Sequence, residues 1–410
     1  MHSRITPALA LVGALTFAFA SCASSPGDAS PSATESTGDG HGAVAGAAEV
    51  AEPPLGLTTV DPEGIVSHLD LLDESTTEIG EIGVPSALTT DGRYLFAETA
   101  EGIDVVDSGV WTWDHIDHFH YYRASPAVLG TIEGEGPATV ATTNLSTTGG
   151  TGVFFAGSGE AVLLDTEALS KGDLVERFRL DVAPHAGLVV PVGSFALVTD
   201  TGGSGGGIVT GYTADGERTA HAEACTDPVG TITTRVGAVI GCADGALLAS
   251  IVDDELTIER IPYPEGISAP RAVRFDNREG RPTVAALAGR DGIWMLDTRE
   301  RSWTLLQAPA PLLTVTAVDD DSDHLLGLAE DGSVLVMSGL DGSVLSRTEP
   351  LVAASLAAGA VPQLIADQHR AYLSAPTERR LFEIDYADAA RIARTFETAT
   401  EPAFVAETGR

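Results

Sequence analysis

Arg93-Tyr94-Leu95-Phe96-Ala97, then a turn, then Gly102-Ile103-Asp104-Val105-Val106-Asp107 is the stretch whose reading decides the fold of this 410-residue chain. Two short runs of β-branched and apolar residues, bounded by Gly and Asp, read as a β-hairpin. The same pattern returns as Val153-Phe154-Phe155-Ala156 followed by Ala161-Val162-Leu163-Leu164-Asp165. Further copies run from Ala196 to Thr213, Ala238 to Ile251, Val284 to Asp297, Leu325 to Ser338 and Ala371 to Asp385. A shorter first copy spans Leu57 to Leu72. Most copies start about 40–46 residues apart, the blade spacing of a β-propeller, in which four-stranded sheets are arranged radially. Helical periodicity is scarce after residue 50, so the expected class is all-β, a single β-propeller.

A proline followed by a strand-like run precedes most hairpins: Pro85-Ser86-Ala87-Leu88, Pro137-Ala138-Thr139-Val140, Pro184-His185-Ala186-Gly187, Pro228-Val229-Gly230-Thr231 and Pro270-Arg271-Ala272-Val273. Each reads as the innermost strand of a blade. The first copy lacks one, and Pro402-Ala403-Phe404-Val405-Ala406 supplies a spare. The expectation is eight blades, with seven as the alternative, closed by the C-terminal strand. A sandwich would not need so regular a repeat.

Working outward, residues 1–21 read as a signal peptide: Arg4 supplies a positive charge, and Leu9 to Ala20 form an apolar core. Phe19-Ala20-Ser21-Cys22 matches a bacterial lipoprotein cleavage site, so the mature chain is expected to start at a lipid-modified Cys22 and to be anchored outside the cytoplasm. An ordinary cleaved signal with an incidental Cys22 is the alternative. Residues 22–51, rich in Ser, Ala, Gly and Thr and carrying His41, read as a flexible tether. Residues 52–410 form the propeller domain. The formal net charge is −36, and Lys171 is the only lysine. Such an acidic surface argues against a nucleic-acid partner. In an oxidising compartment Cys225 and Cys242 are expected to form a disulfide. Two zinc thiolates would be the competing reading, but the close CxxC spacing is missing.

The chemistry concentrates in Trp113-Asp114-His115-Ile116-Asp117-His118-Phe119-His120-Tyr121-Tyr122, which holds three of the ten histidines. His and Asp ligate zinc and similar divalent ions. From Tyr94 to Val153 the repeat stretches to roughly 60 residues, so this segment is an insertion after the third strand of the second blade. In an extended segment His118 and His120 share one face, and His115 and Asp117 the other. A turn at Ile116-Asp117 could gather all four as metal ligands, with an aromatic, hydrogen-bonded loop as the alternative. His185 is the one histidine in the ring that begins the innermost strands, beside Ser86, Thr139, Val229, Arg271, Gln363 and Ala403. Simple up-and-down topology places it apart from the cluster. Asp319, Asp320, Asp321 and Asp323 look calcium-like, but their place between two strands of a blade reads as a solvated turn, and no EF-hand glycine and glutamate follow. Gly202 to Gly207 lacks the strand-to-helix context of a phosphate loop. No HExxH motif is present, and the ring lacks convergent acids, so an enzyme has no positive support.

With those residues in hand, the chain resembles the extracytoplasmic zinc metallochaperones of the AztD type. The resemblance spans nearly the whole mature chain. It rests on Gly40-His41-Gly42, on Asp114 to Arg123, on Gly134-Glu135-Gly136-Pro137-Ala138, on Pro184-His185-Ala186-Gly187, on Gly241-Cys242-Ala243-Asp244-Gly245 and on Glu407-Thr408-Gly409-Arg410. It implies a propeller that binds zinc and passes it to the solute-binding protein of a zinc ABC transporter, without catalysis. The metal ligands expected are His115, Asp117, His118, His120 and His185. Many members carry a histidine where this chain has Thr139, and another where it has Val229. Only one of three imidazoles thus remains in the ring, and the inserted segment must supply most of any zinc site. The alternative function is a metal-free propeller scaffold in the cell envelope.

Overall fold

The structure, a computed structural model, describes residues 42–114, 118–202 and 206–410. The signal peptide, Cys22, His41, His115 and Asp117 lie outside the described residues. The described chain is all-β, with two five-residue helices, Thr166–Ser170 and Ala353–Ala357. Its strands form nine antiparallel sheets, eight of which repeat the meander read from the sequence.

The second sheet shows how the repeat is built. Ala87–Thr90 pairs with Tyr94–Glu98, which pairs with Gly102–Asp107, which pairs in turn with Ala127–Glu133. The two middle strands are buried almost throughout, while the last is largely open to solvent. Sheets packed on both faces explain why the middle strands are nearly continuous apolar runs rather than alternating ones. The turn into the first hairpin is made by Asp91, whose Oδ1 accepts hydrogen bonds from the Arg93 and Tyr94 amides at 3.0 and 2.7 Å. Asp61 does the same for Glu63 and Ile65. This Asx geometry is why Asp recurs just before these strands. Gly102 starts the next strand at φ +141°, where a Cβ would stand 2.1 Å from the Ile132 carbonyl oxygen, so glycine is required there.

Apolar clusters fill the spaces between successive sheets. Phe96, Ile103 and Val105 of the second sheet meet Val153, Phe155 and Val162 of the third. Val60, Val66 and Ala406 of the first meet Leu95 and Val106 of the second. Tyr372, Leu381 and Phe396 of the eighth pack on Leu57, Leu69 and Val405 of the first. Each large side chain taken fully out of water in this way contributes roughly 1.5–3 kcal/mol. The C-terminal strand Phe404–Thr408 pairs with Gly56–Val60 and completes the first sheet, whose other strands are Ile65–Asp70 and Thr76–Glu81. The architecture is propeller-like.

Several strand expectations need correction. Pro270-Arg271-Ala272-Val273 is not a strand. The Ala272 amide donates to the Tyr263 hydroxyl at 2.8 Å, and the Pro270 carbonyl accepts from Trp294 Nε1 at 2.8 Å. With those groups committed to side chains, the sixth sheet keeps three strands, and only Asp276 bridges to Ala285. In the fourth and fifth sheets the first strands begin at Val189 and Thr231, beyond His185 and Val229. The segment assigned to the tether also ends earlier than composition suggests: Ala48–Val50 is a strand. Sγ of Cys225 and Cys242 are bonded at 2.06 Å, joining buried residues that flank the start of the fifth sheet.

Candidate metal centre on the inserted hairpin

The ninth sheet is the insertion. Val110–Asp114 and Phe119–Arg123 form a hairpin, and Ala48–Val50 adds a third strand along Tyr121, Tyr122 and Arg123. Trp111 anchors it. The ring is fully buried, stacks on Tyr122 with centroids 5.3 Å apart, and lies 3.7 Å beneath the Arg93 guanidinium. Its Nε1 donates to the Gly42 carbonyl at 3.1 Å. Arg93 is itself held by Asp107, Nε to Oδ1 at 3.0 Å and Nη2 to Oδ2 at 2.7 Å. The hairpin is therefore fastened to the second sheet through a cation–π contact and a bidentate ion pair. Thr112 fastens it to the end of the chain, its amide meeting the Arg410 carbonyl at 3.1 Å and its hydroxyl the Gly409 carbonyl at 2.7 Å.

On this platform His118 and His120 converge, with Nε2 atoms 2.9 Å apart. His120 Nδ1 faces Glu49 Oε1 at 2.8 Å. A carboxylate accepts, so Nδ1 carries the proton and His120 Nε2 presents a lone pair toward His118. Two nitrogens bound to a tetrahedral zinc at about 2.0–2.1 Å would stand about 3.3 Å apart, close to the observed spacing. Glu49 thus orients the His120 imidazole from behind. Glu49 was not foreseen: it lies 71 residues from His120, in a stretch whose composition reads as tether. Its short β-prone flank, Ala48-Glu49-Val50, is the signal that was available. Among the described residues no group of three or more His, Cys, Asp and Glu side chains is arranged to hold a metal.

His185 stands elsewhere, in the connection between the third and fourth sheets. Nδ1 meets the Ala183 carbonyl at 2.7 Å and Nε2 meets Thr199 Oγ1 at 3.0 Å, with the ring edge-on to Phe154. Both nitrogens are engaged in holding a turn. Thr139 donates to the Gly187 carbonyl at 2.7 Å, and Val229 is held through its amide to the Gly241 carbonyl. Two other histidines have structural partners: His68 Nδ1 meets Thr58 Oγ1 at 2.9 Å, and burial lowers its pKa. His324 pairs with Asp320 at 2.6 Å. Asp319, read as part of a solvated turn, is buried and accepts from Arg281, Thr283 and Arg299.

A second feature was missed by sequence reading. Acids do converge, in a cavity of about 480 Å³ lined by the first strands of six sheets and the Asp276 segment. Asp91, Asp276, Glu279 and Glu407 line it, together with Arg274 and Arg410. They come from strand ends and loops that no single motif unites.

No family model matches the chain, and no curated protein matches it. Solved structures do share its fold. Apo AztD from Citrobacter koseri superposes with a TM-score of 0.73 at 19% identity, over 86% of this chain and 97% of that one. A second crystal structure of Citrobacter koseri AztD gives 0.70 at 19% identity, over the same shares. Dihydro-heme d1 dehydrogenase NirN, in complex with DHE, gives 0.55 at 13% identity, over 88% of this chain and 76% of that one. This chain has the AztD-type fold.

Proposed function

We propose that this chain is an extracytoplasmic zinc-handling protein of the AztD type, which holds zinc as cargo and hands it to the solute-binding protein of a zinc ABC transporter. Its eight repeated sheets are the blades of one propeller. The apolar cluster shared by the eighth and first sheets and the C-terminal strand in the first sheet both support closure. Residues 1–21 are the signal peptide, and a lipidated Cys22 anchors the chain to the membrane.

The observation that carries the reading is the approach of His118 Nε2 to His120 Nε2, with Glu49 fixing the His120 tautomer. Zinc replaces the proton between the two nitrogens. His115 and Asp117, three and one residues before His118 in the sequence, are the proposed further ligands. His185 is left out of the set, because both its nitrogens are committed. A site with two fixed imidazoles at the surface suits transfer, since a partner's ligands can enter the remaining positions. Binding weakens in acid, because protonated imidazole cannot ligate.

Zinc titration of the protein against a competing chelator tests this. The expected result is one tight site that a combined His118→Ala and His120→Ala change removes. Affinity no better than that of an unrelated acidic protein would overturn it.

A metal-free scaffold is the second reading, favoured by the direct His118–His120 hydrogen bond, which pairs the two imidazoles without a metal. If partner binding survives the double change and no metal is lost, the scaffold reading stands.

A further inference from the structure

The cavity of about 480 Å³ is built where the first strands of the sheets come together. Thr90, Thr142, Thr233 and Gln363 bring hydroxyl and amide groups to its wall from four different sheets. Its charged groups are unevenly matched. Arg410 Nε lies 3.1 Å from Glu279 Oε2, and Nη1 lies 3.3 Å from Glu407 Oε2. Both are ion-pair distances without hydrogen-bond geometry, and Arg410 Nε has no hydrogen bond among the described residues. Glu407 is wholly buried, and neither of its carboxylate oxygens has a hydrogen bond among the described residues. The neighbouring acids differ: Asp91 is satisfied by the Arg93 and Tyr94 amides, and Asp276 accepts from Thr316 Oγ1 at 3.1 Å. One guanidinium therefore faces two glutamates, with Asp367 adding further negative potential. With both glutamates ionised, the set is one positive charge short.

We propose that this cavity binds a small organic solute carrying a primary ammonium group, received by Glu279 and Glu407. A buried carboxyl without a donor is costly, and an ammonium supplies both the missing charge and up to three donors. The side chain of Glu279 is 27% exposed and that of Glu407 is buried, so Glu279 is the more accessible of the two. The volume falls within the roughly 300–1,000 Å³ of small-molecule sites and far exceeds what a bare ion needs. A metal ion would need several oxygens converging at about 2.0–2.6 Å, and among the described residues no group of three His, Cys, Asp or Glu is so arranged. Burial raises Glu407 to about 8 and raises Glu279 above the ordinary glutamate range, with Arg410 opposing and Asp367 adding to both shifts. An arriving cation should therefore displace a proton. The inserted hairpin's histidines play no part, so this inference and the zinc reading stand or fall separately.

The test is isothermal calorimetry of the full chain with 1,4-diaminobutane near neutral pH, with butane-1,4-diol and calcium chloride as comparisons. The expected result is saturable binding of the diamine but not the diol, with proton release read from two buffers of different ionisation enthalpy. Glu407→Gln and Glu279→Gln should each weaken the diamine by about tenfold or more. Should Glu407→Gln fail to fold, the more exposed Glu279→Gln decides. Equal binding of diol and diamine, or no saturable heat with the diamine, overturns the proposal. So does calcium binding that displaces the diamine and is lost in the same variants, because the acids would then be a metal site.

Discussion

Glu49 Oε1 lies 2.8 Å from His120 Nδ1, so a strand ahead of the first sheet orients an imidazole on a hairpin inserted in the second. That hydrogen bond makes the short N-terminal strand part of the proposed zinc site. Replacing Glu49 by Ala leaves both imidazoles in place but frees the tautomer of His120. Zinc affinity should fall about 10–100-fold, the usual effect of removing an orienting carboxylate. Chelator competition on the variant and parent checks it, and unchanged affinity would detach Glu49 from the site.

The Arg93–Asp107 pair is the next point of leverage. Arg93 is 1% exposed, and the guanidinium spans Asp107 on one side and the Trp111 ring on another. Asp107→Ala strands a buried charge, which costs about 3–5 kcal/mol. The urea midpoint should drop accordingly.

The disulfide closes a short loop, Cys225 and Cys242 having a sequence separation of 17. Constraining a loop of that size in the unfolded chain stabilises by about 3 kcal/mol. A combined Cys225→Ala and Cys242→Ala change should lose about that much in denaturant unfolding. A reducing agent should lower the parent's midpoint and leave the variant's unchanged.

Glu407 sets a pH dependence of stability. Its pKa rises from 4.5 to about 8 on folding, because burial opposes ionisation more than Arg410 favours it. The folded state thus holds a proton that the unfolded chain has released. Its contribution is full below pH 4.5 and is lost as pH rises toward about 8. Glu407→Gln should flatten the fall in stability between those values, and denaturant unfolding at pH 5 and pH 8.5 reads the difference. A parallel fall in parent and variant would show that Glu407 is not its source.

The repeat was legible because middle strands buried on both faces must be apolar along their length, and Tyr94-Leu95-Phe96 or Val153-Phe154-Phe155 can be little else. The strand ends were less so. Pro184-His185 and Pro270-Arg271 look like strand starts, yet the His185 ring, Tyr263 and Trp294 take the local hydrogen bonds. Side chains distant in sequence decided those segments.

By itself, the sequence determined the all-β meander, its insertion after the third strand of the second sheet, and the pairing of His118 with His120 on one face. Those follow from local periodicity, where a side chain's direction depends on its neighbours two residues away. Tertiary structure decided what joins them. Glu49 reaches His120, Arg93 supports Trp111, and Arg410 is set against Glu279, because sheet packing brings together positions tens to hundreds of residues apart. No local pattern encodes such meetings. They depend on the summed twist and packing of whole sheets, which also turns scattered Thr, Asn and Glu residues into one polar cavity.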